Sequence, residues 1–80
     1  MPWGVAVTSL QLQILALCAE KRMTTRELTA QLSAHHETVC KAIHGLNARL
    51  DLGSTRGLHS TTTAGLRLLR SFKALEKPND

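Results

Sequence analysis

Aromatic residues are almost missing from this chain of 80 residues, which has one Trp, one Phe and no Tyr. Its core must therefore be assembled from Leu, Ile, Val and Ala, a set that favours helices. Cysteine is equally sparse. Cys18 and Cys40 each sit inside an apolar periodic stretch, which suits small buried or half-buried residues and not a disulfide framework. No apolar run approaches the ~20 residues of a membrane-spanning helix. No basic segment leads an apolar run at the N-terminus, so no signal peptide is expected. Together these features set a cytoplasmic expectation. There is no Gly-rich phosphate loop, no pair of carboxylates in a pocket-forming context and little room for a buried active site. The chain is therefore expected not to be an enzyme and to need no cofactor or metal.

What is present is a basic, ordinarily apolar domain. Apolar residues make up 42% of the chain, and the formal net charge is +4. The length suffices for one domain with one modest core. The charge is uneven: between residues 38 and 73, Lys41, Arg49, Arg56, Arg67, Arg70 and Lys73 are opposed only by Asp51. Such a basic half attracts polyanions, although an ordinary solvated surface has the same composition.

The periodicity gives an order of elements. Residues 1–8 form an N-terminal tail, where Pro2 and Gly4 oppose a helix and Trp3 could pack on a neighbour. Thr8 and Ser9 are cap types before a helix over about 9–21. Leu10, Ile14, Leu17 and Cys18 lie on one face of it, with Leu12 and Leu15 off that face. Met23, Thr24 and Thr25 break the pattern, and either Thr can cap a short helix over 25–32 with Glu27 in its first turn. A further helix over about 36–50 carries a stripe of Val39, Ile43, Leu46 and Leu50. Glu37, Lys41, His44 and Ala48 face away from that stripe, with Thr38 and Gly45 beside them. Residues 51–61 read as a small β-hairpin with a glycine-permitted turn, and Thr62 caps a last helix over about 63–76. Residues 77–80 are a C-terminal tail. The fold class is mainly α with a small β-hairpin, in the order helix, helix, turn, helix, wing, helix. Its middle pair has the short first helix, tight turn and apolar stripe of a helix-turn-helix.

Residues 28–46, LTAQLSAHHETVCKAIHGL, are similar to the helix-turn-helix of LysR-type and MarR-type bacterial regulators. Arg56-Gly57-Leu58 and residues 62–69, TTAGLRLL, resemble their wing arm and the helix start after it. The likeness covers about residues 10–75. It implies a winged helix-turn-helix and a bacterial or phage transcriptional regulator. The chain departs from the LysR-type pattern at His35-His36-Glu37, where Ser-Gln-Pro is usual, and at Cys40-Lys41, where Ser-Arg is usual. The segment between Leu46 and Arg56 is also a few residues shorter. The fold and the DNA surface carry over; a ligand, an operator and a regulatory sign do not.

The expected double-stranded DNA contacts are Thr25, Arg26, His35, His36, Glu37, Thr38, Lys41, His44, Arg56 and His59. Lys41 suits a phosphate or guanine, while His35, His36, Glu37 and Thr38 stand where base edges are met. Arg56 at the hairpin tip suits phosphate or the minor groove, with His59 on the returning arm. Arg26 and Thr25 can meet a phosphate at a helix start. Each residue also has a plainer use as a cap or a solvated side chain. His36, Cys40 and His44 recur along one flank of the helix, but three ligands over two turns do not easily reach one ion and no fourth is evident. Surplus apolar surface at Leu12, Leu15, Leu68, Phe72 and Leu75 suggests a homodimer. Two rival uses fit the same fold: a protein-interaction module, and a DNA-binding accessory factor in excision or replication.

Overall fold

Two threonines decide where the first two helices begin. In the computed structural model, which describes residues 7–76 and side chains as far as Phe72, Thr8 precedes helix α1 (Ser9–Glu20) and its hydroxyl accepts the Gln11 N–H at 3.1 Å. The Gln11 side chain accepts the Thr8 N–H at 3.1 Å, closing a capping box. Strand β1 (Met23–Thr24) follows. Thr24 then makes the same reciprocal pair with Glu27, at 3.1 and 2.9 Å, and starts helix α2 (Thr25–Leu32). Each box satisfies N–H groups that a helix start leaves without partners. Ser33, in the left-handed conformation, ends α2, and helix α3 (His36–Ala48) begins after Ala34 and His35. Strands β2 (Leu52–Thr55) and β3 (Leu58–Thr61) form the wing, and helix α4 (Thr63–Glu76) closes the order. Residues 1–6 of the expected tail over 1–8, with Trp3, the expected tail at 77–80 and the side chain of Leu75 lie outside the described residues.

The sheet has one strand more than expected. Its order is β1-β3-β2, all antiparallel, with Met23 opposite His59 and Ser54 opposite His59 on the other side. Residues 23–24, expected only as a helix break, are thus also an edge strand. Arg56 and Gly57, with φ of 54° and 77°, make the two-residue turn between β2 and β3. Positive φ at both positions matches the right-handed twist of the flanking strands.

The core is aliphatic, as the lack of aromatics requires. Ile14, Leu15, Cys18, Met23, Leu28, Val39, Ala42, Ile43, Leu46 and Leu52 form one buried cluster. Helix α1 contacts α3, α4 and β3, so apolar residues on both sides of it are covered. Leu15, expected on a dimer surface, is 0% exposed and belongs to this core. Gly45, expected beside the outward face of α3, instead faces α1: a Cβ there would stand 2.8 Å from Gln11 Nε2. The same nitrogen donates to the Ala42 carbonyl at 3.2 Å.

Leu50 corrects a second expectation. The buried stripe of α3 runs through Val39, Ala42, Ile43 and Leu46 and stops there, because the helix ends at Ala48. Leu50 has φ of 65° and is 73% exposed. Its N–H donates to the Asn47 carbonyl at 3.0 Å and the Asp51 N–H to the Leu46 carbonyl at 3.0 Å, the two bonds of a Schellman ending. Glycine normally takes this place, since a Cβ is strained there. Leu50→Gly is therefore expected to stabilise the protein by about 1 kcal/mol, because little packing is lost. A lower urea midpoint for the variant would contradict the strain.

Behind Leu50 lies a tight junction. Thr62 donates its hydroxyl to the Leu50 carbonyl at 2.7 Å, and that hydroxyl accepts the Gly65 N–H at 3.1 Å, capping α4. The Thr62 N–H donates to the Asp51 carbonyl at 3.1 Å. Asp51 is buried, and its carboxylate pairs with Arg49 Nε at 3.0 Å. One cation of the basic half is thus engaged in holding the α3–β2 corner.

Candidate nucleic-acid interface

Helix α3 is anchored on one side and open on the other. Val39, Ala42, Ile43 and Leu46 are buried, whereas His36, Glu37, Thr38, Lys41, His44 and Ala48 are exposed. The exposed residues Glu37, Lys41, His44 and Ala48 recur at four, three and four, so one helical face presents an acid, a cation and an imidazole to solvent. His35 occupies the N-cap position, is exposed and makes no side-chain capping bond. At the first turn, His35, His36, Glu37 and Thr38 therefore stand free of the core, as expected. Cys40 is half-buried, and its Sγ lies 3.4 Å from His36 Nε2. Among the described residues, no group of three or more metal-ligating side chains comes together.

The wing carries its charge at the tip. Arg56 is exposed and stands in the two-residue turn with a left-handed backbone. Arg26 is exposed on the first turn of α2. Arg67 and Arg70 are exposed on α4, and Arg70 lies beside Ala16, Ala19 and Glu20 of α1.

Two expected contacts are revised. His59 is only 7% exposed, in the central strand of the sheet, so it is not available to a DNA backbone. Its Nε2 lies 2.9 Å from Thr25 Oγ1 and its Nδ1 lies 2.6 Å from Ser54 Oγ. Thr25 is half-buried, and its hydroxyl is committed to that internal contact. The sequence expectation missed Ser54 as a partner of His59. The signal was present: an Arg56-Gly57 turn of two residues sets Ser54 opposite His59.

Burial lowers the His59 pKa below the ordinary imidazole value. Its contribution to stability is therefore complete above the unfolded value of about 6.5 and is lost as pH falls through the folded value. Wild-type stability is expected to fall from about pH 6.5 towards pH 5 more steeply than that of His59→Gln. Parallel urea curves for the two proteins across that range would contradict a buried neutral imidazole. Burial also raises the Cys18 thiol to about 11, which keeps it protonated and unreactive at neutral pH.

Among the described residues, no helix is long and apolar enough to cross a membrane. No family model matches the chain, and no curated protein matches it. Solved structures do. Two single-site variants of ZitR from Lactococcus lactis each match with a TM-score of 0.79 and 25% identity, over 92% of this chain and 56% of theirs. The wild-type ZitR structure matches with a TM-score of 0.68 and 27% identity, over 99% of this chain and 66% of its own. The chain thus spans little more than half the length of the first of these proteins. ZitR is a regulator of the MarR family, and what the chain shares with it is the fold. The described chain has a winged helix-turn-helix fold that resembles the DNA-binding domain of MarR-type regulators.

Proposed function

We propose that this protein is a sequence-specific regulator that binds double-stranded DNA as a homodimer and acts by occupying its site. The observation that carries the proposal is the division of α3 into a buried apolar face and an exposed face bearing His36, Glu37, Thr38, Lys41 and His44. A recognition helix needs this division, since its inner face fixes its pose and its outer face enters the major groove. Lys41 holds a phosphate or a guanine edge, and His36 and Thr38 read base edges. Arg56 meets the flanking backbone or minor groove, and Arg26 a phosphate. Selection of bound sequences from a random duplex pool tests specificity directly. A recurrent motif that His36→Ala and Thr38→Ala blur is the expected result; an unenriched pool would reduce the protein to a non-specific binder.

The homodimer rests on apolar surface left uncovered on α1 and α4. Leu66 is 41% exposed, and Leu12, Leu68 and Phe72 are half-buried. Burial of such side chains contributes roughly 1.5–3 kcal/mol each when complete, so a few suffice for association. A two-fold pairing also presents two recognition helices to a palindromic site. Sedimentation equilibrium is expected to give twice the chain mass, and Leu66→Glu to shift it towards the monomer. A mass of 8.8 kDa at all concentrations would contradict the dimer.

A further inference from the structure

His59, on β3, is tied into a chain of hydrogen bonds that reaches three other elements. Its Nε2 meets Thr25 on α2, its Nδ1 meets Ser54 on β2, and Ser54 Oγ lies 3.3 Å from Asn47 Oδ1 on α3. Burial favours the neutral imidazole, which has one N–H and one bare nitrogen. Both proton orders keep the same partners: Nδ1–H donates to Ser54 while Nε2 accepts from the Thr25 hydroxyl, or Nε2–H donates to Thr25 while Nδ1 accepts from the Ser54 hydroxyl. In either order the ring is held from both sides.

Geometry gives the chain a role beyond filling space. Met23 of β1 pairs with His59 on one side and Ser54 of β2 on the other, so the imidazole sits between the start of α2 and the wing. Asn47 lies in the last turn of α3, the helix that carries Lys41 and His44. Two residues beyond Ser54 stands Arg56 at the wing tip. Strand β3 is held on its far side by β1 at His59 and Leu58, whereas β2, an edge strand of four residues, pairs with β3 alone. A side-chain link from the Ser54–His59 pair, the second from the turn, to both helices is what would set the tip relative to α3.

We propose that His59 is a positioning residue that, through Thr25, Ser54 and Asn47, fixes the wing against the helix-turn-helix and so sets where Arg56 meets the nucleic acid. The inference rests on the DNA reading above. It makes Arg56 useful only while the relay is intact, which a double-mutant cycle measures.

The test titrates a labelled mixed-sequence duplex with the full chain. In the wild-type background, Arg56→Ala is expected to weaken binding about tenfold. In Ser54→Ala and His59→Gln backgrounds the same change is expected to cost less than about twofold, because the tip is already misplaced. Ser54→Thr keeps the hydroxyl and is expected to restore the full loss. Ser54 is exposed, so its variant carries the test if His59→Gln does not fold. An equal Arg56→Ala loss in every background would overturn the inference while leaving DNA binding intact. No Arg56→Ala loss in the wild type would instead overturn the wing contact itself, and this inference with it.

Discussion

Replacing Lys41 and Arg56 together by alanine is expected to weaken duplex binding about 100-fold near 0.1 M salt, about tenfold for each lost phosphate contact. Each contact to B-DNA displaces about 0.9 of a counterion, so the slope of log affinity against log salt is expected to flatten by about 1.8 units. Both side chains are exposed, so the fold should survive their removal, and circular dichroism checks that it does. The single variants should add, because an α3 side chain and a wing-tip side chain share no partner among the described hydrogen bonds. An unchanged affinity would remove DNA from the account and favour a protein partner for the same fold. A loss without a change in salt slope would place the two cations on base edges, not on phosphates.

Gly65→Ala is expected to cost about 2–3 kcal/mol, although alanine in a helix ordinarily gains about 1 kcal/mol over glycine. The reversal comes from the α3–β2 corner. A Cβ at Gly65 would overlap the Asp51 carbonyl oxygen and stand 2.6 Å from Thr61 Cγ2. That carbonyl cannot withdraw cheaply. It accepts the Thr62 N–H, the Asp51 N–H is held by Leu46, and its carboxylate is held by Arg49. Gly45 offers a control, since its Cβ would meet only the end of the Gln11 side chain. Gly45→Ala is expected to change stability by less than about 1 kcal/mol, as propensity offsets the displacement. Equal urea midpoints for the two alanine variants would show that α4 has room to shift.

Local chemistry made the helices legible. The cap residues at 8–9 and 24–25 marked the two helix starts, of which the structure selects Thr8 and Thr24, and the Val39, Ile43, Leu46 stripe names the inner face of α3. The hairpin and Arg56 at its tip were legible from the glycines, but Gly53 looked like one edge of the turn and instead lies in β2, so the turn is only Arg56 and Gly57. The remainder depended on non-local contacts. Strand β1 is too short for a periodic pattern and is defined by its partner β3, far along the chain. Leu50 continues the spacing of its stripe, yet the chain leaves the helix before reaching it. Leu15 looked surplus because one face seemed enough for α1, whereas α1 is packed from several sides. His59 has the polarity of a contact residue and the position of a core residue, and its partners come from elements that only tertiary structure brings together.

The account stands most directly on which surface meets DNA. An amide NMR titration of the protein with a short duplex reads that surface residue by residue, even at the micromolar affinities of non-specific binding. The expected result is a set of shifts concentrated at residues 35–45 of α3 and at Arg56 and Gly57 of the wing, fading as salt is raised. Shifts confined to the α1–α4 surface, or no shifts at low salt, would contradict it.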